Sequence, residues 1–424
     1  MNIYKYPNRT GWPALLERPV FDNADLEKRV SKILEKVKKK GDKAVRKFTE
    51  DFDGILLKKS QVTDQEIKEA VGNISEELKQ AILLAKKNIE TFHRSQVSEE
   101  EIIETMPGVQ CWRRSVAIEK VGLYIPGGTA PLFSTILMLG IPASIAGCKE
   151  IILCSPPGKD GRLHPAILFA AQAVGITRIY KVGGVQAIAA MAYGTESIPQ
   201  VHKIFGPGNQ YVTCAKQLVQ KSGVAIDMPA GPSEVAVYAD ESANPVFVAA
   251  DLLSQAEHGT DSQVILVSNS FEKIESCIQE INKQVEKLPR KDIALKTLDN
   301  SKMILVNTEE EAILLLNEYA PEHLILACNN ADMISQKVIN AGSVFIGHYS
   351  PESVGDYASG TNHTLPTNGY AKAYSGVSVD SFVKKITFQK LTQEGLRNIG
   401  KAVIDMAEAE GLHAHAQAVA VRLS

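Results

Sequence analysis

Four side chains far apart in the chain, Gln255, His258, Asp356 and His415, have the donor chemistry to close on one divalent metal. Between them sits an adjacent acid and imidazole, Glu322-His323. Imidazole nitrogen suits zinc at roughly 2.0–2.1 Å, whereas a glutamine oxygen is an uncommon zinc ligand. Gln255 and His258 lie three apart on a predicted helix and so share a face. That spacing taken alone also fits an ordinary surface helix. Glu322-His323 opens an apolar run, 324–327, that reads as a strand with polar groups at its mouth, where ligands bind in α/β folds. A carboxylate can activate water and a histidine titrates near neutral pH, so the pair is suited to proton traffic. The bland alternative is a helix–strand turn with two solvated groups.

The segment 355–366 reads as a loop, punctuated by Gly, Asn and Pro with almost no apolar periodicity. Asp356 and His363 are its candidate site residues; Asp356 also suits a plain turn. His413 and His415 are two apart and would face apart on a helix, so only one can join a shared metal. Glu410, just before Gly411, is placed to approach the same pocket, unless the tail is simply solvated. Cys154 ends a predicted strand and raises the possibility of a thiol nucleophile. Its setting, Ile-Ile-Leu-Cys-Ser-Pro-Pro, supplies no charge to stabilise a thiolate and reads as buried strand.

Something must position these groups. A chain of 424 residues suggests two to three units at roughly 150 residues each. Hydrophobic residues at 44% and charged residues at 22% are those of a soluble globular protein. A net charge of -3 favours neither nucleic acid nor an anionic membrane as partner. The start of the chain lacks the basic-then-apolar pattern of an export signal. The apolar stretch 132–146 is broken by Gly140 and Pro142 and is too short to span a bilayer. Cysteines at 111, 148, 154, 214, 277 and 328 never adopt Cys-x-x-Cys spacing. That argues against a thiolate zinc site or a disulfide scaffold, and points to a reducing cytoplasm.

Leu26, Val30, Ile33, Leu34 and Val37 repeat at helical spacing within 24–50, with Lys36 and Lys38 to Lys40 on the solvated face. From about 116 short apolar runs (121–125, 151–154, 178–182, 202–205, 235–238, 264–267, 303–306, 343–346) alternate with helical patterns such as 163–174, 209–220, 245–257 and 309–319. This alternation predicts an α/β fold of two doubly wound, incomplete Rossmann-like parallel-sheet domains, one inserted in the other. The expected boundaries are a small helical N-terminal segment 1–23, a first α/β domain of 24–123 and 233–377, an insert of 124–232, and a helical appendage of 378–424. That appendage, ~45 residues, is small for a core of its own and must pack on something, a second subunit being one option. Glycine-rich turns at Pro126-Gly127-Gly128, Gly183-Gly184 and Gly206-Pro207-Gly208-Asn209 follow strands and lead into helices. None completes the dinucleotide fingerprint, yet three together favour an anion at helix N-termini.

Seven stretches in order resemble the histidinol dehydrogenase family over essentially the whole chain. They are Val121-Gly-Leu-Tyr-Ile-Pro-Gly-Gly128, Lys203-Ile-Phe-Gly-Pro-Gly-Asn209, Ile226-Asp-Met-Pro-Ala-Gly-Pro-Ser-Glu234, Ser254-Gln-Ala-Glu-His-Gly259, Ala320-Pro-Glu-His-Leu324, Gly355 to Pro366, and Glu410-Gly-Leu-His-Ala-His415. The resemblance implies oxidation of L-histidinol to L-histidine through the aldehyde, with two hydride transfers to NAD. It implies zinc held by Gln255, His258, Asp356 and His415, with Glu322 and His323 as the acid–base residues. Ser233, His363 and Glu410 would contact substrate together with His323 and the metal ligands; Tyr124, Gln186 and Asn209 would contact NAD. It further implies a homodimer with shared active sites, the C-terminal histidine coming from the partner subunit. His413 is an extra histidine beside the matched His415. Competing readings are a sister zinc/NAD dehydrogenase of another polar alcohol, a zinc hydrolase that needs no NAD, and a non-enzymatic binding protein.

Overall fold

A computed structural model describes residues 1–18, 23–127, 131–229 and 231–424; Gly128 of the first glycine turn lies outside them. Two parallel sheets organise the chain. The larger runs Asn2–Lys5, Lys302–Leu305, Gln263–Ser268, Glu234–Ala239, His323–Ala327, Ser343–Ile346 from edge to edge. The smaller runs Arg178–Lys181, Glu150–Ser155, Lys120–Tyr124, Lys203–Phe205, Ala225–Ile226. Central strands such as Glu234–Ala239 and Gln263–Ser268 are buried throughout because helices cover both faces, which is why they read as continuous apolar runs. Every strand expected between 121 and 346 is present.

Three features depart from the sequence reading. Residues 2–5 are not part of a separate helical segment; they add an edge strand to the larger sheet by main-chain pairing with Lys302–Leu305. The helix Asn23–Asp53, kinked at Gly41, packs Leu26, Val30, Leu34 and Val37 onto helices Gly184–Tyr193 and Gln210–Gln220 beside the smaller sheet rather than onto the larger one. Helix Glu76–Arg94 likewise joins the smaller sheet's core through Ile82, Ala85 and Ile89. An apolar stripe shows that a helix is covered, not by which sheet. Finally, the tail is not wholly helical: Val383–Leu391 pairs antiparallel with Val109–Ala117, which pairs with Ile102–Met106. The lysines of 383–391 mask a strand that Trp112–Phe388 stacking at 5.4 Å helps to register. Beyond it, helices Gln393–Ala409 and His413–Ala420 bury only Gly395, Gly400, Ala407 and Ala416.

The turn at Gly206 is built to close tolerance. Its φ is +121°, and a Cβ there would stand 2.0 Å from the Tyr124 carbonyl oxygen, so only glycine fits. Its N–H donates to Asp227 Oδ2 at 2.8 Å, and buried Lys216, ion-paired with Asp227, donates to its carbonyl at 2.8 Å. Asn209 then caps helix Gln210–Gln220, accepting from the N–H groups of Tyr211 and Val212 at 3.1 Å each.

Candidate active site

One residue's main chain holds both members of the acid–imidazole pair. The N–H of Glu234 donates to Glu322 Oε2 at 2.9 Å, and His323 Nδ1 lies 3.1 Å from the Glu234 carbonyl oxygen. A carbonyl only accepts, so Nδ1 carries a proton, and Nε2 presents a lone pair when the ring is neutral. Nε2 is buried without a hydrogen-bond partner, 3.3 Å from Asp356 Oδ1. Both residues sit at the amino end of strand His323–Ala327, opposite to the carboxyl-end placement usual in α/β folds. Glu234 is itself locked: its carboxylate accepts Arg18 Nε at 2.5 Å, Arg18 Nη2 at 2.9 Å and the Asn368 N–H at 2.9 Å. Burial pushes the Glu322 carboxyl up to about 8, against the opposing pull of His323 and the Glu234 N–H. Burial alone would lower His323; the carboxylates of Glu322, Asp356 and Glu352 outweigh it and raise the imidazole. A cation on Asp356 would cancel part of that pull and free Nε2 to act as a base.

The expected metal donors converge in part. Gln255 ends helix Pro245–Ala256, 1% exposed, with Oε1 lacking any partner. His258 is not on that helix but in the turn after it, at the exposed rim. Asp356, expected in a loop, lies on the short helix Glu352–Tyr357. His363 does lie in the following loop; its Nδ1–H donates to the Asp356 main-chain oxygen at 2.8 Å, and Nε2 accepts from the Thr135 hydroxyl at 3.1 Å. Burial lowers the proton affinity of both His258 and His363, and the Asp356 carboxylate opposes it. Glu410 and His415 stand exposed on the tail, and among the described residues no three His, Cys, Asp or Glu side chains close on one point within the chain.

Sequence reasoning missed Glu352. It is 1% exposed and one helical turn before Asp356, so both share a face. Its Oε1 accepts the Ser254 hydroxyl at 2.7 Å, tying the Asp356 helix to the Gln255 helix, while Oε2 has no partner. Burial pushes its carboxyl up to about 7. The four-residue spacing was readable only once 352–357 was known to be helical. Gln255 Oε1, His323 Nε2 and Glu352 Oε2 are thus three buried polar atoms without partners around Asp356. Such orphans cost about 1–3 kcal/mol each, so the set fits a cation and a ligand bearing hydrogen-bond donors. Zinc suits the nitrogen and oxygen donors of Gln255, His258 and Asp356.

Along the carboxyl edge of the smaller sheet runs a cavity of about 1040 Å³, lined by Tyr124, Gln186 and Asn209 among others. The Tyr124 hydroxyl accepts the Gly184 N–H at 3.0 Å, and Gln186 Oε1 is buried without a partner. Thr135 follows this sheet's first strand, so its bond to His363 joins the cavity's neighbourhood to the acid–imidazole site. Cys154 is fully buried in its strand, and burial drives its thiol far above the ordinary range. Turnover of Cys154→Ala should therefore stay within about twofold of the parent, measured as steady-state kcat; a collapse in a folded variant would reinstate the thiol.

A large cleft on one parallel sheet beside a buried acid–imidazole pair on another is the architecture of an α/β enzyme. Residues 16–423 match the family model described as histidinol dehydrogenase. The chain is 61% identical over 424 residues to the histidinol dehydrogenase of Bacteroides thetaiotaomicron, covering 100% of this chain and 99% of that one. It is 53% identical over 416 residues to the chloroplastic histidinol dehydrogenase of Arabidopsis thaliana, covering 97% and 88%. A crystal structure of histidinol dehydrogenase from Elizabethkingia anophelis superposes with a TM-score of 0.98 at 56% identity, covering 100% of this chain and 98% of that one. The chain belongs to the histidinol dehydrogenase family.

Proposed function

We propose that this enzyme oxidises L-histidinol to L-histidine by way of L-histidinal, with one zinc per subunit and two NAD consumed, in a homodimer whose active sites are shared. The observation that supports it most is the Glu322–His323 pair, gripped by Glu234, with His323 Nε2 and two further buried polar atoms, Gln255 Oε1 and Glu352 Oε2, left without partners. Zinc, when bound, would orient the substrate through its imidazole and amine nitrogens, both good ligands for that ion. Gln255, His258 and Asp356 would hold it, with the partner's His415 completing the set. His323 Nε2 takes the alcohol proton as the carbinol hydrogen leaves as hydride to the first NAD. Glu322 deprotonates a water that adds to the aldehyde carbon; the resulting hydrate gives its hydride to the second NAD and its remaining acid proton to solvent, leaving the carboxylate. Hydration removes any need for a thiol. Ser233, directly before Glu234, and His363 contact the substrate, joined by the partner's Glu410. The six free cysteines support a reducing compartment, and among the described residues no helix is long and apolar enough to cross a membrane.

The decisive experiment incubates the purified protein with histidinol and NAD, with and without a chelator. NADH should accumulate at about two equivalents per histidinol, and chelation should abolish it until zinc is restored. One equivalent, or activity indifferent to chelation, would refute the reading; product without NADH would point to a hydrolase.

A further inference from the structure

In the usual dinucleotide fold an acid at the end of the second strand accepts the hydrogen bond of the adenosine ribose 2′-hydroxyl. Here the second strand of the smaller sheet ends Cys154-Ser155 and runs on into Pro156-Pro157, with no acid at that place. The same cavity is lined by two carboxylates: Asp160, in the loop after that strand, already accepts the Arg162 N–H at 3.0 Å, whereas Asp53 is delivered from elsewhere as the last residue of helix Asn23–Asp53. Its Oδ2 is buried and has no hydrogen-bond partner, and the Ser155 hydroxyl lining the same cavity is likewise orphaned. The cations in that lining, Arg29 and Arg162, are already matched by Asp25 at 2.5 Å and Glu69 at 3.2 Å. Among the described residues the cavity therefore offers one unsatisfied buried carboxylate oxygen, and its two arginines stand in solvent-exposed ion pairs. That balance suits a hydroxyl donor and repels a phosphate.

Orientation follows from the connections. The nicotinamide must reach the acid–imidazole site, which meets this sheet through Thr135, close in sequence to the cavity-lining Pro131. Asp53, Arg29 and Ile33 form the wall supplied by the N-terminal helix, leaving that wall to the adenosine half.

We propose that Asp53, assisted by Ser155, accepts the adenosine ribose hydroxyls of NAD and makes this enzyme select NAD over its 2′-phosphorylated form. The proposal rests on the NAD reading above and deepens it.

The test compares equilibrium binding of NAD, 2′-deoxy-NAD (adenosine ribose) and NADP by calorimetry, for the parent, Asp53→Ala and Asp53→Asn, with kcat/KM for NAD alongside. A hydrogen bond to a buried charged acceptor corresponds to about 10–100-fold in affinity. The parent should bind NAD more tightly than the 2′-deoxy analogue by that factor. In Asp53→Ala the two should bind alike, and the preference for NAD over NADP should fall by at least about tenfold. Asp53 has no protein partner at Oδ2 to lose, so folding should survive, and thermal unfolding checks that. The analogue comparison on the parent needs no variant at all. A parent indifferent to the 2′-hydroxyl, or variants with unchanged NAD to NADP ratios, would overturn the proposal while leaving the NAD reading intact. A parent that binds neither dinucleotide would overturn both.

Discussion

Glu322→Gln should lose oxidation of the aldehyde by roughly 10²–10⁴-fold, the usual worth of general-base assistance, while oxidation of the alcohol suffers far less. The substitution is close to isosteric. The amide oxygen can still accept the Glu234 N–H that meets Glu322 Oε2 at 2.9 Å, so the strand start keeps its hydrogen bond. What disappears is the buried base, whose carboxyl sits at about 8 before any cation is near. His323 also loses the carboxylate 3.6 Å from its Nδ1, which lowers its proton affinity and leaves its role in the first step possible. Supplying histidinal directly and following NADH by stopped flow isolates the second oxidation. An unchanged rate from histidinal would remove Glu322 from the hydration step.

Mixing two inactive variants should restore activity. His415 is exposed on a tail that buries four residues, whereas Glu322 is buried in the larger sheet, and no single chain closes the donor set among its described residues. If each site borrows His415 from the partner subunit, His415→Asn and Glu322→Gln homodimers are both defective. A mixed dimer then holds one site with Glu322 and His415 intact and one lacking both. Random reassembly of equal amounts makes half the dimers mixed, so about a quarter of parental activity should return. Each parent alone should remain at least ~10²-fold down. Subunits mixed under conditions that permit exchange, then assayed for NADH formed from supplied histidinal, give the readout. No recovery above the parents, with exchange verified by mass, would place His415 in its own subunit's site or outside the chemistry altogether.

The candidate site residues were legible because their types are restrictive. An acid beside an imidazole at the start of an apolar run, a Gln-x-x-His pair and clustered glycine turns each narrow the options, and seven ordered stretches together specify a family. The strands between 121 and 346 were legible for a related reason: strands buried on both faces must be apolar throughout. Less visible were groups whose role depends on conformation. Glu352 shares a face with Asp356 only if 352–357 is helical, and Asp53 becomes an orphaned acceptor only where its helix ends against the smaller sheet. The strand 383–391 was hidden by its lysines, since its pairing comes from main-chain bonds and one aromatic stack rather than from burial.

The amino-acid order alone pointed to the enzyme class, singled out the adjacent Glu322 and His323, and determined the existence of two parallel layers, because side-chain chemistry and apolar periodicity are local properties. Tertiary structure alone decided that Glu234 sets both the position of Glu322 and the tautomer of His323, that the N-terminal helix covers the smaller sheet, and that His415 faces outward from its own chain. Those outcomes depend on which distant segments meet. Many pairings are compatible with the same local pattern, and the free energy of the whole packed molecule chooses among them.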